Sequence, residues 1–410
     1  MSLPSNAAVE PYTIRIEDEI LSDLERRLRD VRWADDPNNE DWYYGPPTRY
    51  MQDLVAYWRD DFDWRAAEQR LMAYDHYLAD VDGVPIHFMY KEGSGASPVP
   101  LLLAHGWPWT FWFFNRIIDP LADPAADGGD PADAFDVIAP SLPGYAFSTP
   151  QTAPDMNFWK IAALFDQMMT DDLGYDRYAA AGYDFGAMIC GQLGHNHSDN
   201  LYGIHLGHDI PLTLFQGERP WDMTQGTMVP EGVSDELRDE ILKMARTYAS
   251  HVAVHQLDAQ TLTHGLEDSP VGLLSWLLRR WRGWSDQSLD FDAIFPRDEL
   301  LTHATIWWAT RSAGSSIRQY SNTSRYPWQP SHDRTPPIEA PTGFMLPVGD
   351  AYPPGANTAE SRIRAFEEGP TAAWYNAVRV EATEDCGHFG PYEAPRPFID
   401  GIRGHFRDLR

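Results

Sequence analysis

Residues 179–191 read AAAGYDFGAMICG and set Asp184 between Gly182 and Gly186, after one small apolar run and before another. The first run has the composition of a short buried strand and the second that of a helix, so a carboxylate stands where the chain turns sharply. Many hydrolases keep a serine at such a corner, in the pattern G-x-S-x-G, because the strained turn pushes one side chain out above the sheet. This chain contains no G-x-S-x-G. If the corner is a nucleophile elbow, its nucleophile is an aspartate.

The strand and helix on either side of this corner belong to a longer alternation. From residue 81 onward, short β-type runs (VDGVPIHFMYKEG, VPLLLAHG, FDVIAPSLPG, RYAAAGYD, LYGIHLG) are separated by helical stretches such as NFWKIAALFDQMMTDDL. Short apolar strands alternating with helices predict a mainly parallel sheet covered on both faces. Residues 213–332 lose the alternation and read as helical, and strand texture returns at PTGFMLPVGD and AVRVEATED before a terminal helix. Residues 1–80 carry two helical faces, Ile20, Leu21, Leu24, Leu28 and Val31, then Met51, Leu54, Val55 and Trp58, around a loop rich in Pro, Gly and Asn. The expected organisation is an extension over 1–80, a sheet domain over 81–212 and 333–410, and a helical insertion over 213–332.

Composition narrows the function. At 410 residues the chain is long for one compact core, and 43% apolar residues suffice for a packed interior. Its 61 acidic against 32 basic residues repel phosphate backbones and anionic lipid, which argues against nucleic-acid and membrane-surface partners. Two cysteines, Cys190 and Cys386, suit neither a disulfide framework nor a zinc site and fit a reducing cytoplasm. No window approaches eighteen uncharged apolar residues, so a soluble protein is expected. Lysine is scarce beside arginine, a bias read as genomic base composition and a hint of a GC-rich bacterium. His195, His197 and Asp199 in GHNHSDN lack the further ligand cluster a metal site needs, and no metal or cofactor is expected.

In an open α/β sheet, ligands sit beyond the carboxyl ends of the strands. Three further strand ends carry chemistry besides Asp184. LLLAHGWPW ends in a tight turn, His105-Gly106-Trp107-Pro108, that can aim a backbone N–H at an oxyanion, with the Phe185 N–H as a second donor. Asp350 closes PTGFMLPVGD, and His388 follows the last strand in EDCGHFGPYEAP. Nucleophile, acid and histidine in that order make the α/β-hydrolase sequence of catalytic residues, with aspartate in place of serine. A carboxylate needs no proton removed before it attacks, so the histidine must serve a later step, the activation of water against an ester.

These motifs together resemble the microsomal-type epoxide hydrolases over nearly the whole chain. PYTIRIEDEILSDLERRLRDVRW, DWYYGPP, YWRDDFDWRAAE and VDGVPIHFMY resemble the family's N-terminal extension; HGWP, PSLPGYAFS, GYDFG, GLEDSPVGLLSW, PTGF and CGHFGPYEAP resemble its core and lid. The resemblance implies an α/β-hydrolase fold and a cofactor-free reaction of an epoxide with water. Asp184 would form an alkyl ester, lid tyrosines would hydrogen-bond the ring oxygen, and His388, held by Asp350, would activate water while Trp107 and Phe185 hold the oxyanion. Tyr320 matches one lid tyrosine. The other falls on His251, with Tyr248 one helical turn away as a substitute donor. Tyr183 and Trp109 replace small residues of the family pattern and are expected to line the pocket, and the run Phe111–Phe114 offers stacking to an aromatic substrate, in keeping with a pathway that makes aromatic natural products. A haloalkane dehalogenase-like reaction and a catalytically silent binding protein stand as alternatives. The long extension could support a homodimer.

Overall fold

The runs VPLLLA, FDVIAP and YAAAG are buried on both faces almost throughout, which suits strands at the centre of a parallel sheet under two helical layers. The computed structural model of the protein describes residues 8–215, 229 and 232–410. Among these, nine strands form one sheet: β1 (Val9–Pro11), β2 (Asp75–Val81), β3 (Val84–Lys91), β4 (Val99–Ala104), β5 (Phe135–Pro140), β6 (Tyr178–Gly182), β7 (Leu201–Leu206), β8 (Ile338–Pro347) and β9 (Tyr375–Thr383). Their spatial order is β1-β2-β3-β5-β4-β6-β7-β8-β9. β5, β4, β6, β7, β8 and β9 run parallel, and β1 to β3 add an antiparallel margin. The sheet is mainly parallel, as the alternation of strands and helices predicts.

β4 and β6 are neighbours at its centre, with Ala104 opposite Gly182, so the turns that follow them open side by side. Two glycines set how closely those turns approach. A Cβ on Gly182 would stand 2.1 Å from the Gly186 carbonyl oxygen, and one on Gly186 would stand 1.9 Å from that of Ala104. Only bare backbone lets the helix Phe185–Asn196 begin against the end of β4.

Between β7 and β8 lie the helices Asp235–Leu257, Ala259–Asp268, Pro270–Trp284, Phe291–Ile294, Arg297–Ala309 and Ala313–Arg325. Residues 216–228, 230 and 231 of the expected insertion lie outside the described residues. The helix Pro270–Trp284 shows why the sequence starts it there: Pro270 occupies the first turn, and the Ser269 hydroxyl accepts the Gly272 N–H at 3.0 Å. Its Leu273, Leu274, Leu277, Leu278, Trp281 and Trp284 repeat at helical spacing and are all buried.

The N-terminal helices Asp18–Arg29, Thr48–Asp60 and Trp64–Leu71 pack against this lid rather than against the sheet alone. Trp58 Nε1 donates to Thr305 Oγ1 at 3.0 Å in the buried contact, while the Tyr50 and Tyr57 hydroxyls donate to Asp292 and Asp298 at 2.7 and 2.8 Å. Among the described residues no helix is long and apolar enough to cross a membrane.

Replacing Gly186 by Ala is expected to force the helix away from β4 and to lower stability by about 1–3 kcal/mol, the usual cost of overpacking a filled core. Denaturant unfolding of the variant checks this; an unchanged midpoint would show that the close approach is dispensable.

Candidate active site

Asp184 sits at φ 53° and ψ −123°, a conformation that a non-glycine residue adopts at a cost on the order of 1–3 kcal/mol. Hydrogen bonds hold it there. The Asp184 N–H donates to His208 Nδ1 at 3.0 Å, and the Trp107 N–H donates to the carboxylate Oδ1 at 3.0 Å. Gly106 makes room for that carboxylate, since a Cβ there would lie 2.3 Å from Oδ1. Phe185 heads the helix behind it, its ring edge-on to Tyr320 at 4.6 Å.

His388 stands on the loop after β9, which is fixed from two sides. Its own N–H donates to the Trp284 carbonyl of the lid at 2.9 Å. The N–H groups of Gly387 and Phe389 converge on the buried Glu393 carboxylate at 3.1 and 2.9 Å, together with that of Asp286 at 2.8 Å. Burial pushes the Glu393 pKa up to about 7 against those three bonds. The His388 ring then spans two carboxylates, with Nδ1 3.0 Å from Asp350 Oδ2 and Nε2 3.3 Å from Asp184 Oδ2. Burial alone would lower its pKa, but Asp350 and Asp184 outweigh burial and push it up to about 10. The resting site is an ion pair of His388 and Asp184.

Asp350 follows β8. Burial opposes its ionisation, yet His388 and His208 keep its pKa far below the ordinary carboxylate range. Because His208 Nδ1 accepts the Asp184 N–H, the proton of this imidazole is on Nε2, 3.4 Å from Asp350 Oδ2. The Tyr248 hydroxyl donates to Asp350 Oδ1. Asp184, His388 and Asp350, each just past a strand end, thus stand together, and His208 and Tyr248 join them.

Comparison with known proteins assigns the chain to a family. Residues 9–114 match the family model described as Epoxide hydrolase N terminus, and residues 99–287 match that of the alpha/beta hydrolase fold. A Stigmatella aurantiaca (strain DW4/3-1) protein assigned as an epoxide hydrolase is 32% identical over 98% of this chain and 86% of its own length. The chain belongs to the microsomal-type epoxide hydrolase family. Epoxide hydrolase 1 of Oryctolagus cuniculus is 28% identical over 82% of this chain and 77% of its own. The epoxide hydrolase structure from Aspergillus niger superimposes with a TM-score of 0.77 at 25% identity, covering 100% of this chain and 99% of that one.

In this epoxide hydrolase family member a cavity of about 320 Å³ opens onto Asp184, His388 and Asp350. Tyr320 and His251 share one wall, their rings edge-on at 5.7 Å, with His251 stacked nearly parallel to Trp107 at 5.4 Å. Burial, His255 and Arg280 hold the His251 pKa well below its ordinary value, so this imidazole is neutral. Burial and Asp184 hold the Tyr320 phenol well above its ordinary value, so it keeps its proton.

Three expectations are corrected. Tyr248 lines the cavity, but its hydroxyl proton is committed to Asp350 and is not the substitute donor. Trp109 turns away from the cavity into a core of Trp281, Phe295, His303, Phe389 and Tyr392, and Tyr183 packs on Phe113, Phe114 and Phe398. Neither Trp109 nor Tyr183 lines the pocket, and the buried run Phe111–Phe114 does not either. Their neighbours Pro108 and Asp184 occupy the turns, and adjacent side chains of a tight turn leave in different directions. His195 and His197 are structural contacts: His195 Nδ1 meets the Pro337 carbonyl at 2.7 Å and His197 Nδ1 meets Asp166 at 2.8 Å.

His208 was not singled out from the sequence, although it stands just past LYGIHLG, at a strand end like the others. Replacing it by Phe leaves the Asp184 N–H without its acceptor and Asp350 without the imidazole that stands 3.4 Å away. A loss of about 1–3 kcal/mol in unfolding free energy is expected, together with a lower kcat. A variant as stable and active as the parent would show that His208 does not hold the elbow.

Proposed function

We propose that the protein opens apolar epoxides to vicinal diols through an ester on Asp184. The observation that carries the reading is the division of labour at one carboxylate: Oδ1 faces the Trp107 N–H, and Oδ2 faces His388. Oδ2 attacks an epoxide carbon, the carbon–oxygen bond of the ring breaks, and Oδ1 becomes the carbonyl oxygen of the ester, already in contact with its donor. Tyr320 hydrogen-bonds the ring oxygen as it becomes an alkoxide, with neutral His251 beside it.

The proton inventory balances. Once Asp184 is esterified it no longer carries the charge that helps keep His388 protonated, so the imidazole becomes a free base as the alkoxide gains a proton. Water then gives a proton to His388 and its oxygen to the ester carbonyl carbon, and the oxyanion on Oδ1 is held by the Trp107 N–H, with the Phe185 N–H as second donor. Collapse breaks the ester C–O bond, the departing diol oxygen takes the remaining proton of the attacking water, and Asp184 is left as a carboxylate beside protonated His388. The Phe185, Phe215 and Trp284 rings in the cavity wall favour bulky or aromatic substrates.

Replacing His388 by Gln is expected to leave esterification but remove the base for hydrolysis, so intact-mass spectrometry after addition of styrene oxide should show protein plus epoxide, mapped to the peptide holding Asp184. A single turnover of the unmodified enzyme in ¹⁸O-water should label the Asp184 carboxylate and not the diol. Label in the first-turnover diol without an adduct would make Asp184 a base rather than a nucleophile.

Replacing Tyr320 by Phe removes a hydrogen bond to developing alkoxide and should cost about 2–4 kcal/mol of transition-state stabilisation, by analogy with oxyanion donors. Single-turnover esterification measures it. A nearly unchanged rate would transfer the donor role to His251.

A further inference from the structure

The cavity has a second polar end that the proposed reaction does not use. Arg362, on the helix Ala359–Glu367, is 2% exposed, and its Nη2 donates to Asp209 Oδ1 at 2.5 Å. The other Asp209 oxygen accepts the Thr371 hydroxyl at 2.8 Å. Both members of the ion pair line the cavity that contains Asp184. The pair is also close to the chemistry in the chain, because Asp209 directly follows His208, whose ring holds the Asp184 N–H.

Among the described residues, the buried Arg362 Nε and Nη1 have no hydrogen-bond partner. Buried guanidinium donors are ordinarily satisfied, because desolvating them without an acceptor is costly. Among the described residues, the Asp209 carboxylate is engaged by Arg362 and Thr371, and the Ile210 carbonyl accepts the Tyr375 hydroxyl at 2.6 Å. The neighbouring wall is apolar, with Ile210, Pro211, Leu214 and Phe215.

We infer that Arg362, backed by Asp209, is a substrate-binding residue that takes a neutral hydrogen-bond acceptor, a ketone, ester or amide carbonyl, carried on an otherwise apolar epoxide. The inference rests on the proposed epoxide hydrolysis and names its substrate class. Charge selects the neutral acceptor over a carboxylate. Three carboxylates in the wall, Asp184, Asp209 and Asp350, face two cations, His388 and Arg362, and the Arg362 charge is already compensated by its partner. Among the described residues of the wall a further anion would find no uncompensated cation, whereas a carbonyl oxygen needs only the unused N–H groups.

Acetyl and isopropyl groups have nearly the same shape and differ in the acceptor, so styrene oxides bearing one or the other at the ortho, meta and para positions form the test. Diol formation from the isopropyl compounds checks the underlying reaction; if no isomer of either series gives diol, that reading fails and this one falls with it. Given turnover, at least one acetyl isomer should show a kcat/KM ratio over its isopropyl partner that falls roughly tenfold or more in Arg362→Met/Asp209→Asn, a change that leaves neither charge buried alone. Comparing ratios cancels the electronic effect of the acetyl group and any general loss of active protein. The unmodified enzyme supplies a second measurement: the acetyl diol of that isomer should inhibit roughly tenfold more strongly than the isopropyl diol, and the corresponding carboxylate diol less than the acetyl one. Ratios that are unchanged by the double substitution, or equal inhibition by acetyl and isopropyl diols, overturn the inference.

Discussion

A single buried carboxylate holds the active site together. Asp350 would be expensive to ionise in the protein interior without partners, and it receives three: His388 from the loop after β9, His208 from the end of β7 and Tyr248 from the lid. The two histidines are in turn committed to Asp184. His388 reaches Asp184, and His208 carries the Asp184 N–H at the positive-φ corner. The position of Asp184 and the protonation of His388 therefore depend on one buried charge. Removing Asp350 would disturb the backbone of Asp184 as well as the imidazole beside it.

The lid belongs to this frame. Trp281 Nε1 and Trp307 Nε1 both donate to the Pro108 carbonyl, at 3.4 and 3.2 Å, and so brace the turn whose Trp107 N–H faces Asp184. The Trp284 carbonyl holds the His388 N–H. Two loops of the sheet domain take their final shape from helices inserted between β7 and β8. Because the N-terminal helices grip those same lid helices, the described part of the extension supports the site without lining its cavity.

The strand-end rule made much of this arrangement legible in the sequence. Asp184, Asp350, His388 and the HGWP turn follow four parallel strands, and a parallel sheet must bring such ends to one edge. Side-chain direction was less legible. Trp109 and Tyr183 are sequence neighbours of functional residues, but each leaves its turn on the far side and fills the core. The partners of Asp350 were hidden for another reason: His208 and Tyr248 come from segments 40 residues apart, and nothing local marks either as a neighbour of a carboxylate more than a hundred residues further on. Arg362 was equally silent, since a helical arginine reads as surface until its burial is known.

The grip of the extension on the lid also has a consequence for how the chain is made. Trp58 and its acceptor Thr305 are 247 residues apart. The ribosome delivers roughly 5–20 residues per second, so the face built from Met51, Leu54, Val55 and Trp58 emerges about 12–50 s before the lid that covers it. During that interval an apolar helical surface waits in solvent beside a growing sheet whose own inserted helices are not yet complete. Until the lid is made, these apolar side chains lack the partners that bury them in the folded protein.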